Sequence, residues 1–194
     1  MSISPAQATE LIRKRRAIFP KTFNDKPLAR EIIEEVLENA NWAPTHRLTQ
    51  PWRFKVFTGK ALERLANYLS EFYRNSTPAE QFLETKYAKM KENPRRSACT
   101  IAICMQRDPQ ERVPEWEELA AVACAVENMW LTCTAYNLGC YWSTPPAAVE
   151  GNEFFDLAEG ELCLGLFYMG WHDLEEMPAT PRSPVSEKVV WMEA

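Results

Sequence analysis

The sequence predicts an α+β sandwich: a few central strands in a mixed or antiparallel sheet, flanked by helices. Three observations lead there. Helical periodicity dominates the chain, and the apolar runs short enough to be strands are few and lie between helices. Residues 119–136 form one long segment that is apolar or small around nearly its whole circumference. No glycine fingerprint follows the first strand, so a doubly wound dinucleotide-binding sheet is not supported.

In chain order, Ser4 is placed to cap a first helix, with Pro5 at its first position and Gln7 at its third, close to a capping box. That helix is expected to run to about Arg16 and to end in RKRR, positive charge where the dipole favours it. Residues 17–28 read as an irregular crossing. A second helix over 29–42 puts Ile32, Ile33, Val36, Leu37 and Ala40 on one face, and Pro44 stops it. Residues 52–58 alternate apolar and polar, which predicts a strand broken by Gly59. Two charged amphipathic helices, 60–74 and 78–91, read as a surface excursion over 60–93 that is able to act as a lid. Pro94 closes it, and 98–105 is a buried strand. Asn137-Leu138-Gly139 is a C-cap for the long helix. Residues 140–144 and 162–168 are further strands, with a short helical piece at 147–157. From His172 the chain is proline-rich, an extended arm over 172–194 suited to wrapping a partner. His172 itself, among acidic residues, is expected to be exposed.

The 194 residues suit one domain. A hydrophobic share of 46% and a charged share of 25% are globular, and a net charge of −5 lacks the basic footprint of a nucleic-acid binder. Six cysteines without a CxxC pair, and only two histidines, give no zinc signature. They read as reduced core cysteines of a cytoplasmic protein. The most apolar window is interrupted by Glu127 and Asn128, so it reads as a buried helix rather than a membrane span. A helix so widely apolar either runs through the centre or faces a second subunit. The phosphate loop GxxxxGK[ST] and the GxSxG elbow do not occur.

Two stretches carry candidate chemistry. Residues 41–54, NWAPTHRLTQPWRF, hold side chains that stack and donate hydrogen bonds where a mere connector would hold turn formers. Trp52 and Phe54 read as core, Trp42 and His46 as ligand contacts. Arg15 and Arg16 at the end of the first helix are a candidate anion site, because paired guanidinium groups hold phosphate through forked hydrogen bonds.

Four stretches in order, RRAIFPKTF, WAPTHRLTQPWRFKVFTG, VPEWEELAAVACAVENMWLTCTAYNLGCYWST and LCLGLFYMGW, resemble those of the FMN-dependent nitroreductase family, and within it the small YdjA-type NAD(P)H nitroreductases. The resemblance covers the chain from about residue 10 to its end. It implies a homodimer with FMN at the interface, NAD(P)H as hydride donor, and nitroaromatic or quinone-like acceptors. The flavin carries the chemistry, with no dedicated protein acid or base. The FMN contacts it implies fall on Arg15, Arg16 and Ala17 toward the phosphate; on Trp42 and His46, reaching the partner's flavin; on Trp142, Ser143 and Thr144 near the ring; and on Arg182 from the arm. Ala17 stands where the family usually has serine, and Trp42 and Ser143 where the subgroup has arginine. Two further readings stay open: specialised flavin chemistry such as dehalogenation or flavin breakdown, and a flavin-binding protein without turnover.

Overall fold

The computed structural model describes residues 3–177 and 179–193. Helix α1 (Pro5–Lys14) starts with the expected capping box, Ser4 and Gln7 each satisfying the other's backbone N–H. It ends two residues before Arg16, because Arg15 turns extended. Helix α2 (Arg30–Asn41) buries Ile33, Val36 and Ala40. Strand β1 (Trp52–Phe57) follows, with Trp52 buried and its indole donating to Asn41 Oδ1 at 3.0 Å.

Helix α3 (Lys60–Ser76) buries Leu62, Leu65, Ala66, Leu69 and Tyr73. Leu65 and Leu69 pack with Ala102, Leu166 and Tyr168 of the sheet, so α3 belongs to the body rather than to a surface excursion. The apolar stripe repeats every three or four residues, and the charges that suggested an excursion lie on the opposite face. Helix α4 (Glu84–Arg96) runs through Pro94 instead of stopping before it. Asn93 and Pro94 are buried, and Ser97 bonds back to both of their carbonyls, which closes the end of the helix.

Strand β2 (Cys99–Gln106) is buried along nearly all its length, because both faces of the sheet are covered. Cys99, Ile101, Ile103 and Met105 enter one core with α2 and the long helix, while Ala102 and Cys104 enter the other with α3. This explains a continuous apolar run where a one-sided strand would alternate. Helix α5 (Glu115–Ala135) starts four residues earlier than expected. Its first turn carries Glu115, Glu117 and Glu118, which suit the positive helix end, and buried Glu118 accepts from the Asp108 N–H at 3.1 Å and from Arg107. Asn137 takes the left-handed conformation, φ 56°, past the C-cap.

Strand β3 (Leu138–Ser143), the short helices α6 (Pro146–Val149) and α7 (Asn152–Phe155), and strand β4 (Glu161–Trp171) complete the body. The four strands form an antiparallel sheet in the order β1-β2-β4-β3. Between β2 and β4 the pairing jumps from Cys104↔Cys163 to Ile103↔Gly165, leaving Leu164 as the extra residue of a bulge. The bulge reverses the parity of β4, so that Cys163, Leu166 and Tyr168 all face the α3 core.

His172 is 7% exposed, contrary to the expectation from its acidic neighbours. A bridge to Phe23 carries the pairing one residue past Trp171 and draws the ring inward. The described residues of the arm beyond 172 are mostly exposed. The outward side of α5 is exposed too: Trp116 at 67%, Leu119, and then Ala120, Ala123 and Cys124. Among the described residues, no helix is long and apolar enough to cross a membrane.

Candidate functional site

Past α1 the chain runs extended along the outer edge of β3, where the Ile18 N–H donates to the Cys140 carbonyl at 2.9 Å. Ile18 and Phe23 are core residues and hold this segment against the body. Gly139 must be glycine for that approach, since a Cβ there would meet the Phe23 ring at 2.5 Å. The consequence is that Arg15, Arg16 and Ala17 are presented at a fixed place between α1, β3 and α5.

Arg15 lies with its guanidinium carbon 4.7 Å from the centroid of the Trp130 ring and its Nε 3.3 Å from Glu127 Oε1. The Trp130 indole N–H donates to the Arg16 carbonyl at 2.8 Å. Around these groups opens a cavity of about 520 Å³, lined by Ile12, Arg13, Arg15, Arg16, Glu127, Thr180 and Arg182. Four arginines against one glutamate make it strongly cationic. The arm therefore returns Arg182 to the cavity that Arg15 and Arg16 line. Such a donor set fits a phosphate-bearing ligand. Ala17, half-buried beside them, brings no hydroxyl.

The end of β3 is shaped by the bulge. The Trp142 indole donates to the Leu164 carbonyl at 3.2 Å. Gly165 has φ 128°, and a Cβ on it would come within 2.4 Å of the Ser143 carbonyl oxygen and 3.1 Å of Thr144 Cγ2. Only glycine lets residues 142–144 settle so close to β4. Trp142 pairs with Phe167 in register, and Phe167 meets the Trp130 ring edge-on at 5.7 Å. A continuous path of contacts thus joins Trp142 to Arg15 through Phe167 and Trp130.

Trp42 and His46 sit elsewhere in the chain. Trp42 is 79% exposed, and its indole donates to Glu38 at 3.0 Å. His46 Nδ1 lies 2.6 Å from Glu117 Oε2, near the start of α5. Glu117 and Glu127 are ten residues apart, about 15 Å along the helix. Within one chain these two side chains do not meet the arginine cavity.

Buried Cys99 and Cys140 offer no nucleophile. Burial pushes the Cys140 thiol well up, with neighbouring Cys133 adding to it, and Cys99 is pushed up to about 12, burial again the main cause. Sequence reasoning missed Glu127, Trp130, Gly165 and Thr180 as parts of the site. Glu127 had a signal, a lone acid inside an apolar helix, and Gly165 had one in a glycine interrupting a strand. Trp130 had none, since an aromatic at that spacing looks like core.

Residues 12–171 match the model of the Nitroreductase family. A Bacillus subtilis protein named "Putative NAD(P)H nitroreductase YfhC" is 28% identical over 188 residues, which cover 94% of this chain and 93% of that one. The crystal structure of a nitroreductase-like family protein from Bacillus cereus resembles the fold with a TM-score of 0.80 at 24% identity, covering 100% of both chains. A variant of the FMN and NADPH-dependent nitroreductase NfnB from Sphigopyxis sp. strain HMH does so with a TM-score of 0.76 at 16% identity, covering 95% of this chain and 98% of that one. A family match over 12–171 and a sheet, bulge and arginine cavity built within that span and its C-terminal arm lead to one conclusion: this chain belongs to the nitroreductase family.

Proposed function

We propose that this chain is an FMN-dependent NAD(P)H oxidoreductase, a single domain working as a cytoplasmic homodimer on nitroaromatic or quinone-like acceptors. The cavity that gathers Arg15, Arg16 and Arg182 carries this reading, because its donors suit the FMN phosphate. Bound FMN would supply the redox chemistry, hydride transfer from NAD(P)H through N5 to the acceptor.

The protein's part is to hold and orient. Arg15 and Arg182 neutralise the phosphate, and Ala17 leaves the contact to backbone and guanidinium groups. Trp142, Ser143 and Thr144, fixed by the bulge, border the ring and shield it from water. Trp42 and His46 reach the partner's flavin. The separation of these two from their own chain's arginines supports that exchange, as does the exposed apolar side of α5, which a second copy would cover. Six free cysteines, five of them buried, suit a reducing compartment.

The test is direct. Purified protein should be yellow or take up added FMN, and NAD(P)H should bleach it without oxygen. Colourless protein that refuses FMN would overturn the reading. Yellow protein that NAD(P)H leaves unbleached would point to a flavin-binding protein without turnover.

A further inference from the structure

Two consecutive arginines at the end of a solvent-exposed helix are ordinarily mobile. Here a single side chain outside the segment touches both. The Trp130 ring lies under the Arg15 guanidinium at 4.7 Å, and its N–H donates to the Arg16 carbonyl at 2.8 Å. The indole is itself fixed, half-buried on α5 and seated edge-on to Phe167 in the sheet. Only tryptophan offers a wide π face together with an N–H in the ring plane.

The way Arg15 is held matters for an anion. A ring face attracts a cation without occupying any of its N–H donors. Glu127 engages Nε, and among the described residues the terminal nitrogens of Arg15 donate to no protein acceptor. The guanidinium is thus placed while its outer donors stay available to the cavity. A carboxylate alone would hold the charge and draw the fork toward itself.

We propose that Trp130 is the positioning residue of the phosphate site: one indole sets the Arg15 side chain and the Arg16 backbone together, so that the chain distinguishes a phosphorylated flavin from its unphosphorylated form. The inference rests on the cavity being the FMN-phosphate site. It assigns a role to a residue on a different element, one that the arginine motif does not contain.

The test compares FMN with riboflavin, which lacks the phosphate, by flavin-fluorescence titration of the full chain. Trp130→Leu removes both the face and the N–H, and the ratio of FMN to riboflavin affinity should fall about tenfold. Trp130→Phe keeps a ring against Phe167 but has no N–H, and should fall between wild type and Trp130→Leu. It carries the test alone if the leucine variant does not fold. A filler of space would change both affinities by the same factor or neither, and either result overturns the proposal. Wild-type protein that binds neither flavin removes the phosphate-site reading itself, and this inference with it.

Discussion

His46 Nδ1 and Glu117 Oε2 approach to 2.6 Å and tie the 46–50 loop to the first turn of α5. The loop needs tying. Arg47, Leu48 and Gln50 all sit at positive φ, 52°, 55° and 44°, in a region that disfavours residues with a Cβ. Thr45 helps by accepting the Gln50 N–H at 3.1 Å. Glu117→Ala should let the loop open more often. Trypsin cleavage after exposed Arg47 should quicken by up to about fivefold, the scale of one partly exposed ion pair. Unchanged cleavage would show that Thr45 and buried Pro51 suffice.

Gly165→Ala should cost about 1–3 kcal/mol, since it joins a positive φ to a Cβ only 2.4 Å from the Ser143 oxygen. Gly59→Ala is the matched control, because Gly59 has φ 51° but nothing within 4 Å of the added atom. Thermal melting should show Gly165→Ala losing several degrees more than Gly59→Ala. Equal losses would mean that residues 142–144 can move aside, and that the bulge does not fix them.

His172 makes stability depend on pH. Its Nδ1 accepts the Leu174 N–H at 3.3 Å, which leaves the ring proton on Nε2, buried and with no partner among the described residues. Burial lowers its pKa below the usual histidine value of 6.5, with Asp173 opposing. A basic group depressed by folding takes its proton more readily in the unfolded chain. Its stabilisation is therefore complete above the unfolded value and is lost as pH falls through that value toward the folded one. Between about pH 7.5 and 5 the melting temperature of wild type should fall more steeply than that of His172→Gln. Parallel curves would assign the acid sensitivity to other groups.

Trp116→Glu places a charge on the exposed apolar side of α5. Wild type should sediment at twice the 22.4 kDa chain mass, and the variant should shift toward one chain. A variant that remains dimeric would move the interface away from this face.

Local signals were readable wherever one short stretch contained them. The Ser4 and Gln7 cap, the left-handed Asn137 and the core position of Trp52 follow from a few neighbouring residues. The uncommon breadth of apolar surface on α5 was visible too, and half of it does face outward. Reading failed where a distant element decided the outcome. The charge of α3 concealed a stripe that only the sheet gives a reason to bury. Pro94 is tolerated because its neighbours are packed, and His172 is drawn in by Phe23. The site divides in the same way. Arg15 and Arg16 declared themselves by charge. Their meeting with Arg182 was open to family resemblance alone, because most of the chain separates them. Trp130 looks like any core aromatic until the path of residues 15–18 is known.

Helix α1 buries no side chain. What pins the arginines lies after it, in Ile18, Phe23 and the edge of β3, and opposite it, in Trp130. Gripping and folding are thereby assigned to different residues. On the proposed phosphate site, variation at positions 5–16 would tighten or loosen the hold on an anion while the two cores stand unaffected. A lineage that abandons one ligand for another has, in this short helix, a region where it can experiment without risking collapse.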